Sequence, residues 1–141
     1  MIRRKFVIGL LVALAAFAGI LVLSGWHSDR QVAAHLVREA MVRLWPEART
    51  VDEFHRKHGR MPKDAAEAGL YLRSSIFIRE MRYTPGELTA VLQGGGARYE
   101  GKMIRLAAQP GAQGLTWRCS ASEDFPPAAF SGSSCLGEPG R

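Results

Sequence analysis

"ELTAVLQGGGARYEGKMIRLAAQPGAQGLTWRC" (residues 87–119) decides the fold class. Its first seven residues, "ELTAVLQ" (87–93), alternate as a half-buried strand does, with Leu88, Ala90 and Leu92 on one face. Gly94-Gly95-Gly96 reads as a loop. "KMIRLAAQ" (102–109) predicts a second strand, Pro110-Gly111 its turn, and "GLTWRC" (114–119) a third strand. Upstream, "IFIREMRYT" (76–84) is strand-like and ends at the turn signal Pro85-Gly86. Four short strands with tight Pro/Gly turns predict an antiparallel meander. Such a sheet has an apolar face that must be covered.

The cover lies earlier in the chain. In "HSDRQVAAHLVREAMVRLWPEARTVDEFHRKHG" (27–59), apolar residues recur at helical spacing: Val32, Leu36, Ala40, Val42 or Leu44, Ala48, Val51 and Phe54. Asp52, Glu53, Arg56 and Lys57 populate another face. The run predicts a helix to about Lys57, kinked at Pro46, stopped by Gly59 and followed by Pro62. Residues 60–75 read as a connector with a short helical turn. The expected class is α+β: a long N-terminal helix packed on a four-stranded antiparallel sheet, with an irregular C-terminal loop.

That helix has an apolar first half. In "MIRRKFVIGLLVALAAFAGILVLSGW" (1–26), Arg3, Arg4 and Lys5 precede an uncharged run of 21 residues, Phe6 to Trp26. At about 1.5 Å per residue the run reaches roughly 31 Å, the thickness of a bilayer's hydrocarbon core. The one-sided basic cluster places the N-terminus in the cytoplasm and the rest across the membrane. Two readings stay open: a retained anchor, and a signal peptide cut near Ala16-Phe17-Ala18. Both export residues 27–141. The expected organisation is a transmembrane anchor (1–26) and a periplasmic headpiece (27–141). Of the net charge of +6, three belong to Arg3, Arg4 and Lys5, which leaves a mildly basic +3 for the headpiece.

Export gives the cysteines a reading. Cys119 and Cys135 are the two cysteines of the chain, with fifteen residues between them. In an oxidising compartment an isolated pair is most simply a disulfide. Closing that loop contributes about 3 kcal/mol in the chain-entropy account. The loop holds Pro126, Pro127 and Gly132, so it is not expected to be helix or central strand. The expected disulfide staples an irregular loop to the strand carrying Trp117.

Together these features resemble the type IV pilins. "GLTWRCSASEDFPPAAFSGSSC" (114–135) is similar to the family's ending, a strand of the form "ITWxC" before a loop carrying "IPxxxLPxxC". "VREAMVRLWPEARTVDEFHRKHGRMP" (37–62) resembles the pilin helix and its exit, "VSEAL…A…EYY…NGxWP", without gaps, and Ala65 to Leu70 extend the match. The resemblance covers residues 30–135. It implies subunit contacts through the helix and headpiece, and an adhesive or subunit-contacting role for the disulfide loop. Trp117, Phe125, Pro126, Pro127 and Phe130 are the candidate contact residues, with Trp117 also readable as core. Tyr83 and Tyr99 are further surface candidates.

The N-terminus departs from the family. Pilins are cut after a glycine that precedes phenylalanine, and carry a glutamate five residues into the mature chain. Here Phe6 follows Lys5, and residues 1–30 contain no glutamate. The family's processing and assembly code therefore does not carry over. The expected function is that of a membrane-anchored, pilin-like protein binding in type IV pilus assembly or regulation. Its partners would be the membrane, through residues 6–26, and pilins or pilus-assembly proteins. Alternatives are a major or minor filament subunit involved in adhesion, and a small exported disulfide-bonded binding protein. No enzyme is expected: no nucleophile–base arrangement or phosphate-cradling loop stands out. No cofactor or metal is expected. His35, His55 and His58 lack a completing ligand set. Nucleic acid is not an expected partner, although Arg73, Arg79 and Arg82 are spaced to form a basic strip.

Overall fold

The computed structural model describes residues 2–122 and 125; in the first part of the helix, side chains are described for 9–23, 25 and from 29 onward. Helix α1 runs Ile2–His58 without interruption, through Pro46. A short helix, α2 (Ala65–Ala68), follows, then strands β1 (Ile78–Thr84), β2 (Glu87–Leu92), β3 (Met103–Gly111) and β4 (Gly114–Ala121). The strands form one antiparallel sheet in sequence order. The α+β architecture and the four-stranded meander are as the alternation and turns predict.

Between α1 and the sheet lies the core. Along α1 the buried stripe is Ala33, Leu36, Val37, Ala40, Met41, Leu44, Ala48 and Val51, spaced by three and four residues. Sequence spacing left Val42 and Leu44 open; Leu44 is buried and Val42 is 65% exposed. On the sheet, register stacks Tyr83, Leu88, Leu106 and Cys119 in one row and Met81, Ala90, Ile104 and Ala121 in the next. These rows face α1. Each buried leucine or isoleucine contributes about 1.5–3 kcal/mol by leaving water.

The turns differ from expectation in one place. Pro85-Gly86 does connect β1 to β2, with Gly86 at φ 84°. Pro110-Gly111 is not a turn: β3 continues through it, Pro110 pairs with Leu115, and the reversal falls at Ala112-Gln113. The strand tolerates a proline there because β2 pairs with β3 only as far as Ala107, apart from one bond from Ala108 N to Gly86 O. Beyond that point β3 is an edge, where a missing N–H is harmless. Strand β1 also starts two residues later than its pattern, leaving Ile76 outside the sheet and 78% exposed.

The connector is held by side chains. Asp64 caps α2 by accepting from Glu67 N at 2.8 Å, and Gly69 closes it at φ 70°. Arg60 grips the Glu67 carboxylate with two hydrogen bonds of 3.0 and 2.6 Å, and Lys63 N adds a third of 2.6 Å. Tyr71 N donates to Glu47 on α1 at 2.9 Å.

Candidate functional site

Two regions bear on function, the first half of α1 and the C-terminal end of the sheet. In the first half, Leu10, Leu11, Val12, Leu14, Phe17 and Ile20 are each more than half exposed, as are Leu21, Val22 and Leu23. They occupy every side of the helix, because consecutive residues point 100° apart. The headpiece core begins only at Ala33. Among the described residues no helix is long and apolar enough to cross a membrane.

At the other end, Trp117 and Cys119 lie on the sheet face turned to α1, half-buried and packed against the core. Cys119 Sγ stands 3.8 Å from Met41 Sδ, so the helix reaches the last strand here. Phe125 turns inward: it is 5% exposed, with its ring 5.2 Å from that of Tyr99. Pro126, Pro127, Phe130 and Cys135 lie outside the described residues, and with them the disulfide.

Two surface candidates are not at the surface. Tyr99 is 2% exposed, and its hydroxyl donates to the Asp29 carbonyl at 3.1 Å. Burial pushes the Tyr99 phenol up from its ordinary range. Tyr83 is half-buried and donates to the Pro62 carbonyl at 3.0 Å. The basic strip is dispersed. Arg82 is engaged by Glu80 at 2.7 and 2.6 Å, Arg79 lies 3.7 Å from Glu100, and Arg73 stacks 3.6 Å over Tyr71. Of the histidines, His35 meets Phe77 edge-on at 4.8 Å, and His58 lies 4.2 Å from Phe54. Among the described residues no cluster of His, Cys, Asp or Glu could hold a metal.

Two contacts that orient the headpiece carried no signal in the sequence. The β2–β3 loop latches onto the start of α1's headpiece half: Arg98 pairs with Asp29 at 2.9 Å beside the Tyr99 bond. Farther along, Asp52 accepts from Leu115 N at 3.1 Å and ties α1 to the start of β4. Their partners are 69 and 63 residues away, beyond the reach of any local pattern.

The helix is laid half-buried across a four-stranded meander, and its apolar first half extends beyond the core. The family profile for pilin, a bacterial filament protein, matches residues 37–135, and the chain belongs to that family. The match spans both the helix and the cysteine loop singled out from sequence. No curated protein matches the chain.

Proposed function

We propose that this pilin-like protein is anchored in the inner membrane by the first half of α1 and acts by binding in type IV pilus assembly or regulation. One observation carries the choice within the family: residues 1–30 contain no glutamate. A carboxylate in an apolar helix is costly and so functional where it occurs, and the family's filament-docking carboxylate has no counterpart here. The anchor is supported by the apolar side chains exposed on all sides between Leu10 and Leu23. A second reading, a filament subunit, is favoured by the family itself. The headpiece faces the periplasm in the first reading and the pilus exterior in the second.

The two readings separate in one experiment. Surface filaments are sheared from cells carrying a C-terminally tagged chain, and the sheared and inner-membrane fractions are compared by intact mass. Full-length protein confined to the membrane is expected. Shortened protein in the sheared filaments would overturn the accessory reading in favour of a subunit.

The same proposal includes the Cys119–Cys135 bridge as the clasp of the C-terminal loop. Cys119 sits on edge strand β4, half-buried against α1. Replacing it by serine is expected to speed proteolysis within 120–135 under oxidising conditions while the helix content stays the same. An unchanged cleavage rate there would remove the clasp.

A further inference from the structure

The solvent face of α1's headpiece half carries a row of exposed arginines. Arg38, Arg49 and Arg56 are exposed, and lie four residues before Val42 and seven and fourteen after it. At 3.6 residues per turn they share one stripe, on the side away from the buried stripe, over about 27 Å. None of the three has an ion pair among the described residues. Of the two acids between Arg49 and Arg56, Asp52 accepts from Leu115 N at 3.1 Å, and Glu53 is held by Lys57 at 2.7 Å and feels the Arg56 charge more weakly. In the middle of the row Val42 is 65% exposed. Pro46 offers no N–H to the Val42 carbonyl, so that backbone acceptor lacks its helical donor. Beside it, Trp45 has its indole N–H covered and without a partner among the described residues. Trp45 itself packs against the headpiece core, so the exposed elements of the face are Val42 and the arginines, and arginine is enriched at protein interfaces.

The acids of the chain narrow the choice of occupant. In the described residues, five acids are in ion pairs: Asp29, Glu53, Glu67, Glu80 and Glu100. Four more accept hydrogen bonds within the fold: Glu47, Asp52, Asp64 and Glu87. Glu39 alone has neither, so the described surface of a second copy offers no acidic row to match.

Resting on the reading of an accessory that works by binding, we infer that this face of α1 docks an acidic helical segment of a different protein, laid along the arginine row with Val42 at the seam. Charge complementarity sets the register, and arginines that recur along one stripe of a helix are matched by acids that recur at helical spacing.

The test uses the full-length chain in its membrane. Benzoylphenylalanine is placed at Val42, cells are irradiated, and the cross-linked peptide is identified by mass spectrometry. The expected product joins residue 42 to a heterologous segment whose acids recur at helical spacing. It is expected to disappear in the triple variant Arg38→Glu, Arg49→Glu, Arg56→Glu and to persist in Arg105→Glu, Arg118→Glu on the outer face of the sheet. Circular dichroism of each purified variant separates lost contact from lost fold. A cross-link only to another copy overturns the inference and assigns the face to self-association through the acids of residues 123–138. A product indifferent to charge reversal, a product with nucleic acid, or no product overturns it too. Shearing the same cells keeps the two readings apart. Full-length, membrane-confined protein with no product at residue 42 leaves the accessory reading standing and removes this partner. Self-products in sheared filaments remove both.

Discussion

Gly95 has no room for a side chain. A Cβ there would run into the Leu36 side chain and lie 3.1 Å from Tyr99 Cβ. The loop that reads as three permissive glycines is therefore also a packing contact, seated on α1 where the buried stripe begins. Gly95→Ala is expected to destabilise the headpiece by about 1–3 kcal/mol, the range for overfilling a packed site. Denaturant melts measure it, and the loss should shrink when Leu36 is also replaced by alanine, since the two changes share a contact. Equal losses in both backgrounds would mean that the glycine is kept for its backbone alone. At the far end of α1, Asp52→Ala leaves the Leu115 N–H without its 3.1 Å acceptor. A partly buried donor so orphaned costs about 1–3 kcal/mol, and Asp52→Asn, which keeps a carbonyl oxygen in place, should restore most of it. If the asparagine variant melts with the alanine variant, the carboxylate's charge rather than its acceptor holds the strand.

At the scale of elements, the helix and strands were legible because their signals are periodic. Leu88, Ala90 and Leu92 share the core face that alternation assigns them, and the helical stripe through Leu36, Ala40, Ala48 and Val51 is the buried one. The element ends were not legible. Pro110-Gly111 reads as a turn by composition, yet it stays in β3 because pairing with β2 has already stopped there. Residues 60–75 read as a connector with a short helical turn, which is α2, but the charge network that orders them leaves no periodic signal. That network makes the connector sensitive to acid. Arg60, with the Lys63 N–H, holds the Glu67 carboxyl down at about 2 from an ordinary 4.5. A depressed carboxyl contributes ordering that is complete above about pH 4.5 and is lost as the pH falls toward 2. Amide protection in residues 60–70, taken relative to the intrinsic exchange rate at each pH, is therefore expected to fall as the pH drops from about 4.5 toward 2, before the sheet opens. Glu67→Gln should show the lowered protection already at neutral pH. A connector that exchanges together with β2 across this range would show that the network is ornamental.

In the whole molecule the longest element is core-packed along one half and exposed along part of the other. From Ala33 onward α1 is one wall of the headpiece core, and the Arg98–Asp29 pair and the Tyr99–Asp29 bond fasten the sheet to the start of that part. Between Leu10 and Leu23 the same helix exposes leucine, valine, isoleucine and phenylalanine on all sides, and the core cluster draws on none of them. Water would penalise so much apolar surface, whereas a bilayer would not. This predicts that the two halves fail separately. Arginine at Leu14 and Phe17, in the middle of the apolar half, opposes membrane insertion by about 2.5–3.5 kcal/mol per residue. The variant Leu14→Arg, Phe17→Arg should leave the membrane pellet under alkaline carbonate extraction, while the wild-type chain stays in it. Headpiece melting in detergent should match wild type, because no core contact is touched. Wild-type protein released by carbonate would mean that the apolar half is covered by protein, and the anchor would give way to a helix packed among other subunits. A variant that loses its headpiece melt as well would place core contacts in the first half of α1.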